Sequence, residues 1–123
     1  MKVMIAYPPL ESGKKIPLLS QNRQFQWFSN PTYLFPVIPA TAATLLKKQG
    51  HKVVWKDAIA ENLTSRQFFD LFAKEKPDLI AIETKTPVIR QHWKIIDKLK
   101  EINPECKMVL IGDHVTALPK ESL

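Results

Sequence analysis

Four short apolar runs, each separated from the next by a segment with helical periodicity, set the strongest limit on the fold of this chain. The runs occupy residues 2–7, 52–56, 78–82 and 108–111 and are rich in Val, Ile and Met, as buried strands are. Strands that alternate with helices join through right-handed crossovers, so they form a parallel sheet covered by helices on both sides. The sequence therefore predicts an α/β fold.

The segments between the runs carry the signals of helix ends. Residues 36–50 end at Gly50, a typical helix cap, and Thr64 can cap a second helix that ends before Pro77. A third helix runs from about residue 88 to 102. The order βαβαβαβ predicts a flavodoxin-like (Rossmann-like) three-layer fold with about four strands in the order 2-1-3-4. Its topological switch lies between the first and third strands.

Composition predicts one domain over residues 1–123 and excludes several classes of protein. At 123 residues and 45% hydrophobic content the chain can build a single core. We find no apolar run long enough to span a membrane and no secretory signal, so we expect a cytoplasmic protein. The formal charge of +6 comes with lysines on the outer face of the third helix, which disfavours nucleic acid as a partner. The single cysteine, Cys106, has no partner for a disulfide or a metal pair, and we expect it in the core or at a strand edge.

A long segment without periodicity, residues 8–35, separates the first strand from the first helix. It contains five aromatic residues, in which a disordered linker would be poor, and two prolines beyond Pro8-Pro9: Phe25, Trp27, Phe28, Tyr33 and Phe35, with Pro17 and Pro31. A loop of this length that carries so many large side chains is uncommon unless it packs over something or closes a site. We predict an ordered aromatic flap.

Polar residues follow three of the predicted strands, at the edge where parallel sheets hold ligands. The last strand opens into Gly112 and three polar side chains, and a new helix is expected to start at Pro119. Because so little sequence follows Pro119, we expect a ligand-binding domain cut from a longer protein. The candidate ligand residues are Tyr7, Pro8, Pro9, Glu83, Thr84, Lys85, Thr86, Gly112, Asp113, His114 and Thr116.

The same loops disfavour most chemistries of this fold. The acidic cluster of a phospho-acceptor domain is missing, and the glycine-rich turn of a nucleotide fold is missing as well. His51 and His92 lack the spacing of metal ligands. His114 stands at a strand exit, where a ligand role and a role in satisfying loop carbonyls are equally open. We predict no catalytic and no metal-binding residue, although a small catalytic site built on His114 and Asp113 is a third, weaker alternative.

Four motifs, taken in order, carry a resemblance to a known family. They are Pro8-Pro9, Gly50-His51-Lys52-Val53 leading to Asp57, the Pro77–Ile82 run, and Gly112-Asp113-His114-Val115-Thr116-Ala117-Leu118-Pro119. Over nearly its whole length the chain resembles the N-terminal cobalamin-binding domain of cobalamin-dependent radical S-adenosylmethionine enzymes. The resemblance implies that the domain presents a corrinoid to a following barrel, which holds an iron–sulfur cluster and cleaves S-adenosylmethionine. The implied role is methyl transfer or related radical chemistry, with cobalamin as the cofactor.

Two departures from the family pattern refine this expectation. The three-cysteine cluster motif of the barrel is absent, so the isolated chain is expected not to be catalytic even if its parent is a radical enzyme. The Asp-x-His-x-x-Gly motif that supplies a cobalt ligand in other cobalamin domains is also absent, so no histidine–cobalt bond is expected. The resemblance also implies a fifth strand beside the fourth; without it, the exposed edge of the fourth strand would allow a homodimer or a swapped arrangement. The alternative function is an interaction domain that keeps the fold without binding the cofactor.

Overall fold

The computed structural model describes residues 1–10, 13, 15–18, 26–30 and 32–122. In chain order the strands and helices are β1 (Lys2–Tyr7), β2 (Ile16–Leu18), β3 (Gln26–Phe28), α1 (Val37–Lys48), β4 (Lys52–Asp57), α2 (Ser65–Glu75), β5 (Leu79–Glu83), α3 (Ile89–Ile102), β6 (Lys107–Ile111) and α4 (Asp113–Ala117). Single 3₁₀ turns occupy Thr86–Val88 and Pro119–Glu121.

The main sheet confirms the predicted fold class. Its order is β4-β1-β5-β6, and all three neighbouring pairs are parallel. Numbered among the four sheet strands, this is the predicted order 2-1-3-4. It places the ends of β1 and β5 side by side at the topological switch, with β6 next to β5.

The segment 8–35 contains an element that was not predicted. Strands β2 and β3 pair antiparallel in a small separate sheet. The side chain of Trp27 packs against Tyr7 and Val88, so this part of the expected flap lies over the end of β1. Other parts of the flap, including Phe25 and Pro31, lie outside the described residues.

The core lies between one face of the sheet and the helices α2 and α3. Met4 and Ile80 project from adjacent strands, and Phe68, Phe72 and Leu99 cover them from the two helices. All five side chains are fully buried. Cys106 is buried with them, as the sequence predicts.

The opposite face of the sheet is covered unevenly. Helix α1 packs against β4, and the β1 side chains beneath this layer, Val3 and Ile5, are buried. Helix α1 does not extend over β6 on this face, and Val109 and Ile111 are each 37% exposed. Among the described residues, no helix is long and apolar enough to cross a membrane.

The start of the last helix differs from the prediction. A helix was expected to begin at Pro119, but α4 begins at Asp113, directly after β6. Both the amide and the hydroxyl of Thr116 donate hydrogen bonds to the carbonyl of Gly112, at 3.2 and 2.8 Å, which closes this first turn. Pro119 does open a turn, as proline at a first position should, but it is one 3₁₀ turn.

Candidate functional site

The chain segments that leave β5 and β6 touch each other through their backbones. The Thr84 amide donates a hydrogen bond to the Ile111 carbonyl at 2.8 Å. Gly112 follows with φ +118°, and a Cβ at this position would collide with the Thr84 carbonyl oxygen. Only glycine permits both the left-handed conformation and this close approach. The glycine that the sequence analysis singled out at position 112 is therefore explained by the backbone geometry at this point.

Side-chain bonds reinforce the contact between the two loops. Lys85 Nζ lies 3.1 Å from Asp113 Oδ2 and 3.5 Å from Glu83 Oε1. The Lys85 side chain is 9% exposed, whereas that of Asp113 is 64% exposed. A nearly buried ammonium group is thus held between two carboxylates, one of which faces solvent.

The bonded series Asp113, Lys85 and Glu83 continues to Tyr7 on β1. Its hydroxyl donates a hydrogen bond to Glu83 Oε2, and the residue is 2% exposed. Burial, followed by the bond and charge of Glu83, raises the pKa of Tyr7 above its ordinary value. The phenol therefore stays protonated and acts as a donor that fixes one carboxylate oxygen of Glu83.

Two histidines are hydrogen-bonded to threonines of the loop that follows β5, residues 84–86, which we call the β5 loop. His92 Nδ1 is hydrogen-bonded to Thr84 Oγ1 at 2.7 Å, and His114 Nδ1 to Thr86 Oγ1 at 3.1 Å. His92 and Thr84 are both fully buried. Burial lowers the pKa of His92 to about 4, so its ring is neutral at physiological pH. Thr84 thus positions the loop, whereas Thr86 is exposed.

A cleft of about 310 Å³ opens beside this loop contact. It lies between the start of α1 and the ends of β5 and β6, and its wall consists of Ile38, Pro39, Glu83, Lys85, Ile111, Gly112 and Asp113. Apolar side chains on one side and charged groups on the other are typical of small-ligand sites, and the volume is at their lower limit.

The structure brings most of the predicted site residues to one edge, but it distributes them among several surfaces. Glu83, Lys85, Gly112 and Asp113 line the cleft. Pro8 is buried, Pro9 borders one groove beside α2 and α3 and another beside the segment after β4, and Thr116 lines a groove beside β6 and α4. No group of three or more potential metal ligands occurs among the described residues.

Sequence reasoning missed three residues at or near this edge. Ile38 and Pro39 reach the cleft because a helix that follows a parallel strand begins at the edge where the strands end. His92 was considered only as a possible metal ligand, and that role was rejected because no second ligand lies at helical spacing. Its spacing to Ile95, Ile96 and Leu99 is that of a single helix face, which could have predicted its burial.

Two curated proteins are similar in sequence to this chain. An uncharacterised methyltransferase from Pyrococcus horikoshii is 27% identical over 120 residues, which is 98% of this chain and 23% of that protein. The anaerobic magnesium-protoporphyrin IX monomethyl ester cyclase from Rubrivivax gelatinosus is 32% identical over 82 residues, or 66% of this chain and 15% of the cyclase. The chain thus spans less than a quarter of each relative's length. No family model matches the chain, and no solved structure matches it.

Proposed function

We propose that this chain is a corrinoid-binding module that holds cobalamin at the carboxyl edge of its sheet. The observation that carries the proposal is the convergence of the β5 and β6 loops around Gly112, beside a cleft with mixed apolar and polar walls. The similarities to a methyltransferase and to an ester cyclase support a role connected with methyl transfer or a related radical reaction.

The residues at this edge fit a corrinoid in their chemistry. The macrocycle is broad, flat and fringed with amides, so it needs scattered donors and acceptors on an accessible edge and a backbone that it can approach. Thr86 and Asp113 are exposed there, Lys85 lines the cleft, and Thr116 is exposed on the neighbouring groove beside α4. Gly112 leaves the backbone bare at the centre of the group. The cleft would accept one arm of the cofactor and leave the ring outside.

The histidines fit binding without a histidine–cobalt bond. Both His92 and His114 use Nδ1 to hold threonine hydroxyls, and both rings are buried. Freeing either ring would break the bond that orders the β5 loop. We therefore propose positioning roles for both, in place of the direct ligand contact expected of His114 from the sequence, and this agrees with the expectation of no histidine–cobalt bond.

When bound, a corrinoid supplies a cobalt centre able to carry a methyl group or to transfer electrons. The chain's own residues bind and orient the cofactor. Lys85, Thr86, Asp113 and Thr116 contact its polar fringe, and Tyr7 and Glu83 keep Lys85 in place. We assign S-adenosylmethionine cleavage and the iron–sulfur cluster to a radical domain of a longer parent protein.

The test is a titration of the purified chain with hydroxocobalamin and methylcobalamin, followed by absorbance and by co-elution on a sizing column. We expect saturable binding with a spectrum in which the lower base is displaced and no imidazole replaces it. A folded chain that binds neither corrinoid would overturn the proposal and favour a domain that only contacts protein.

A matched pair of variants locates the site. The Thr116 hydroxyl donates to the carbonyl four residues earlier, and the exposed Thr44 hydroxyl on α1 does the same with Ala40 at 3.0 Å. Thr116→Val should weaken corrinoid binding about two- to tenfold, as loss of one hydrogen bond does, and Thr44→Val should leave it unchanged. Equal effects of the two substitutions would contradict the assigned location.

A further inference from the structure

A second groove lies on the face of the main sheet that α2 and α3 cover, whereas the cleft beside Gly112 borders α1. The groove runs between α2 and α3, has a volume of about 450 Å³, and shares no lining residue with the cleft among the described residues. Helix α2 joins β4 to β5 and α3 joins β5 to β6, so both walls belong to the interior of the described fold. Two helices that pack side by side leave an outer channel into which a further helix can fit.

Apolar side chains from both helices line the groove. Phe69 of α2 and Ile95 of α3 are partly buried, and both pack against the core. Phe69 follows the fully buried Phe68 and is turned about 100° from it around the helix, which brings its ring to the groove. The apolar surface that the groove leaves in water is favourable to bury when a partner covers it.

Two lysines one helical turn apart give the groove a basic wall. Lys94 and Lys98 of α3 line it and are exposed. Lys98 is bonded to Glu101 at 2.5 Å, but both side chains are more than half exposed, and such surface pairs contribute little. Among the described residues Lys94 has no ion-pair partner, and no acidic side chain lines the groove. The two like charges oppose each other at this spacing, and a ligand of opposite charge would relieve the repulsion.

The start of α2 adds to the positive charge. Ser65, the first residue of this helix, lines the groove, and the first turn contains no acidic residue. Acidic residues are favoured in a first turn because they offset the positive end of the helix dipole. Here Arg66 follows Ser65, with a side chain 91% exposed, and its ion pair with Asp70 is long at 3.9 Å. Both helices therefore make the surroundings of the groove basic.

We propose that the groove between α2 and α3 binds an acidic amphipathic helix of a partner protein. Apolar side chains of that helix cover Phe69 and Ile95, and its carboxylates pair with Lys94 and Lys98. An apolar floor between two helices suits the helix-in-groove mode of recognition. Nucleic acid would use the lysines but would leave the apolar floor uncovered.

The exposed lysines determine the kinetics of this contact. Charges at the rim of an interface act mainly on the rate of association, so binding should be fast and should weaken as salt is added. The groove does not include the loops around Gly112, so the partner helix and a corrinoid can bind at the same time. The proposal therefore does not depend on corrinoid binding.

The test uses fluorescein-labelled peptides of about 18 residues, long enough to form a helix, and follows their anisotropy as the full chain is added. The first peptide carries Leu at positions i, i+3, i+4 and i+7 and Glu at most others. We expect it to bind saturably. A second peptide with Ser in place of each Leu should bind at least about tenfold more weakly, because it cannot cover the apolar floor. A third peptide with Lys in place of each Glu should not bind.

A matched pair of charge reversals locates the contact. Lys94→Glu should raise the dissociation constant of the first peptide about two- to thirtyfold, because it replaces an attraction by a repulsion. Lys48→Glu makes the same change in net charge at an exposed position on α1, across the sheet, and should change the constant less than about twofold. Both positions are exposed, so neither substitution disturbs the core.

Amide chemical shifts of the labelled chain provide a second readout of the location. Addition of the first peptide should move the resonances of residues 65–69 and 91–98 and leave that of Gly112 in place. Absence of binding by the folded chain, or equal effects of Lys94→Glu and Lys48→Glu, would refute the proposal. So would shifts centred on residues 111–113, or tighter binding of a DNA duplex that depends on Lys94.

Discussion

Replacing His92 with glutamine should remove a large part of the acid sensitivity of this fold. His92 is fully buried, and burial lowers its pKa from 6.5 to about 4. The unfolded chain exposes the ring and restores its ordinary pKa. Between these two values the unfolded state therefore binds more protons than the native state, so stability falls as the pH falls through this window.

The size of the effect follows from the two pKa values. At about pH 7.5 the ring is neutral in both states and contributes almost nothing. At about pH 5 protonation of the unfolded state alone lowers the free energy of unfolding by about 2 kcal/mol, and the loss approaches about 3 kcal/mol below pH 4. Between about pH 7.5 and pH 5 the wild type should therefore lose about 2 kcal/mol of stability through this ring, and His92→Gln should not.

The assay is urea unfolding of both proteins at the two pH values. Asp57, with a pKa raised by burial, and Glu75, with a pKa lowered by its bond to Lys2, also titrate in acid. Their contributions are common to both proteins, so they cancel in the difference. His51→Gln, at a half-exposed position, is the control for replacing a histidine outside the core. Equal losses in the wild type and in His92→Gln would refute the reasoning.

Three further substitutions test the loop contact, a helix cap and the core. Gly112→Ala should cost about 3 kcal/mol or more and weaken ligand binding, because the new Cβ meets the Thr84 carbonyl. Gly50 also has a positive φ, but a Cβ added there meets open space, so Gly50→Ala should cost only about 1 kcal/mol. Equal losses of stability in Gly112→Ala and Gly50→Ala would contradict this account. Thr64→Ala removes the capping box of α2 and should lower stability by about 1 kcal/mol in thermal unfolding, whereas no change would argue against the cap. Leu99→Ala should cost about 2–5 kcal/mol in urea unfolding, and a smaller cost would mean that the core collapses around the gap.

The sheet was predictable because each strand is a contiguous apolar run and each connection contains a helix. The topology rules then leave few possible strand orders, and in a parallel sheet the carboxyl ends of β1, β5 and β6 must lie at one edge. The hairpin β2–β3 was not predictable by the same reasoning. Its strands are three residues long, and Pro17 within β2 removes a backbone donor that a strand pattern would include.

The positions of the site residues were predictable, but their accessibility was not. Thr84 follows a strand, and a polar residue there suggests a ligand contact. Its burial depends on how the start of α3 sits over the end of β5, which brings His92 within 2.7 Å of its hydroxyl. Such packing is a tertiary property that no local pattern encodes.

Most of the polar side chains at the candidate site are already bonded to one another, and this decides where affinity for a ligand can come from. Lys85 is bonded to Asp113, Thr86 to His114, and Thr84 to His92. A ligand that replaces one of these bonds gains only the difference between two hydrogen bonds, which is small. Net affinity must then come from apolar contact with the cleft wall and from the exposed oxygens that the internal bonds leave free. The internal bonds hold both loops in place before a ligand arrives, so the ordering cost of binding is low.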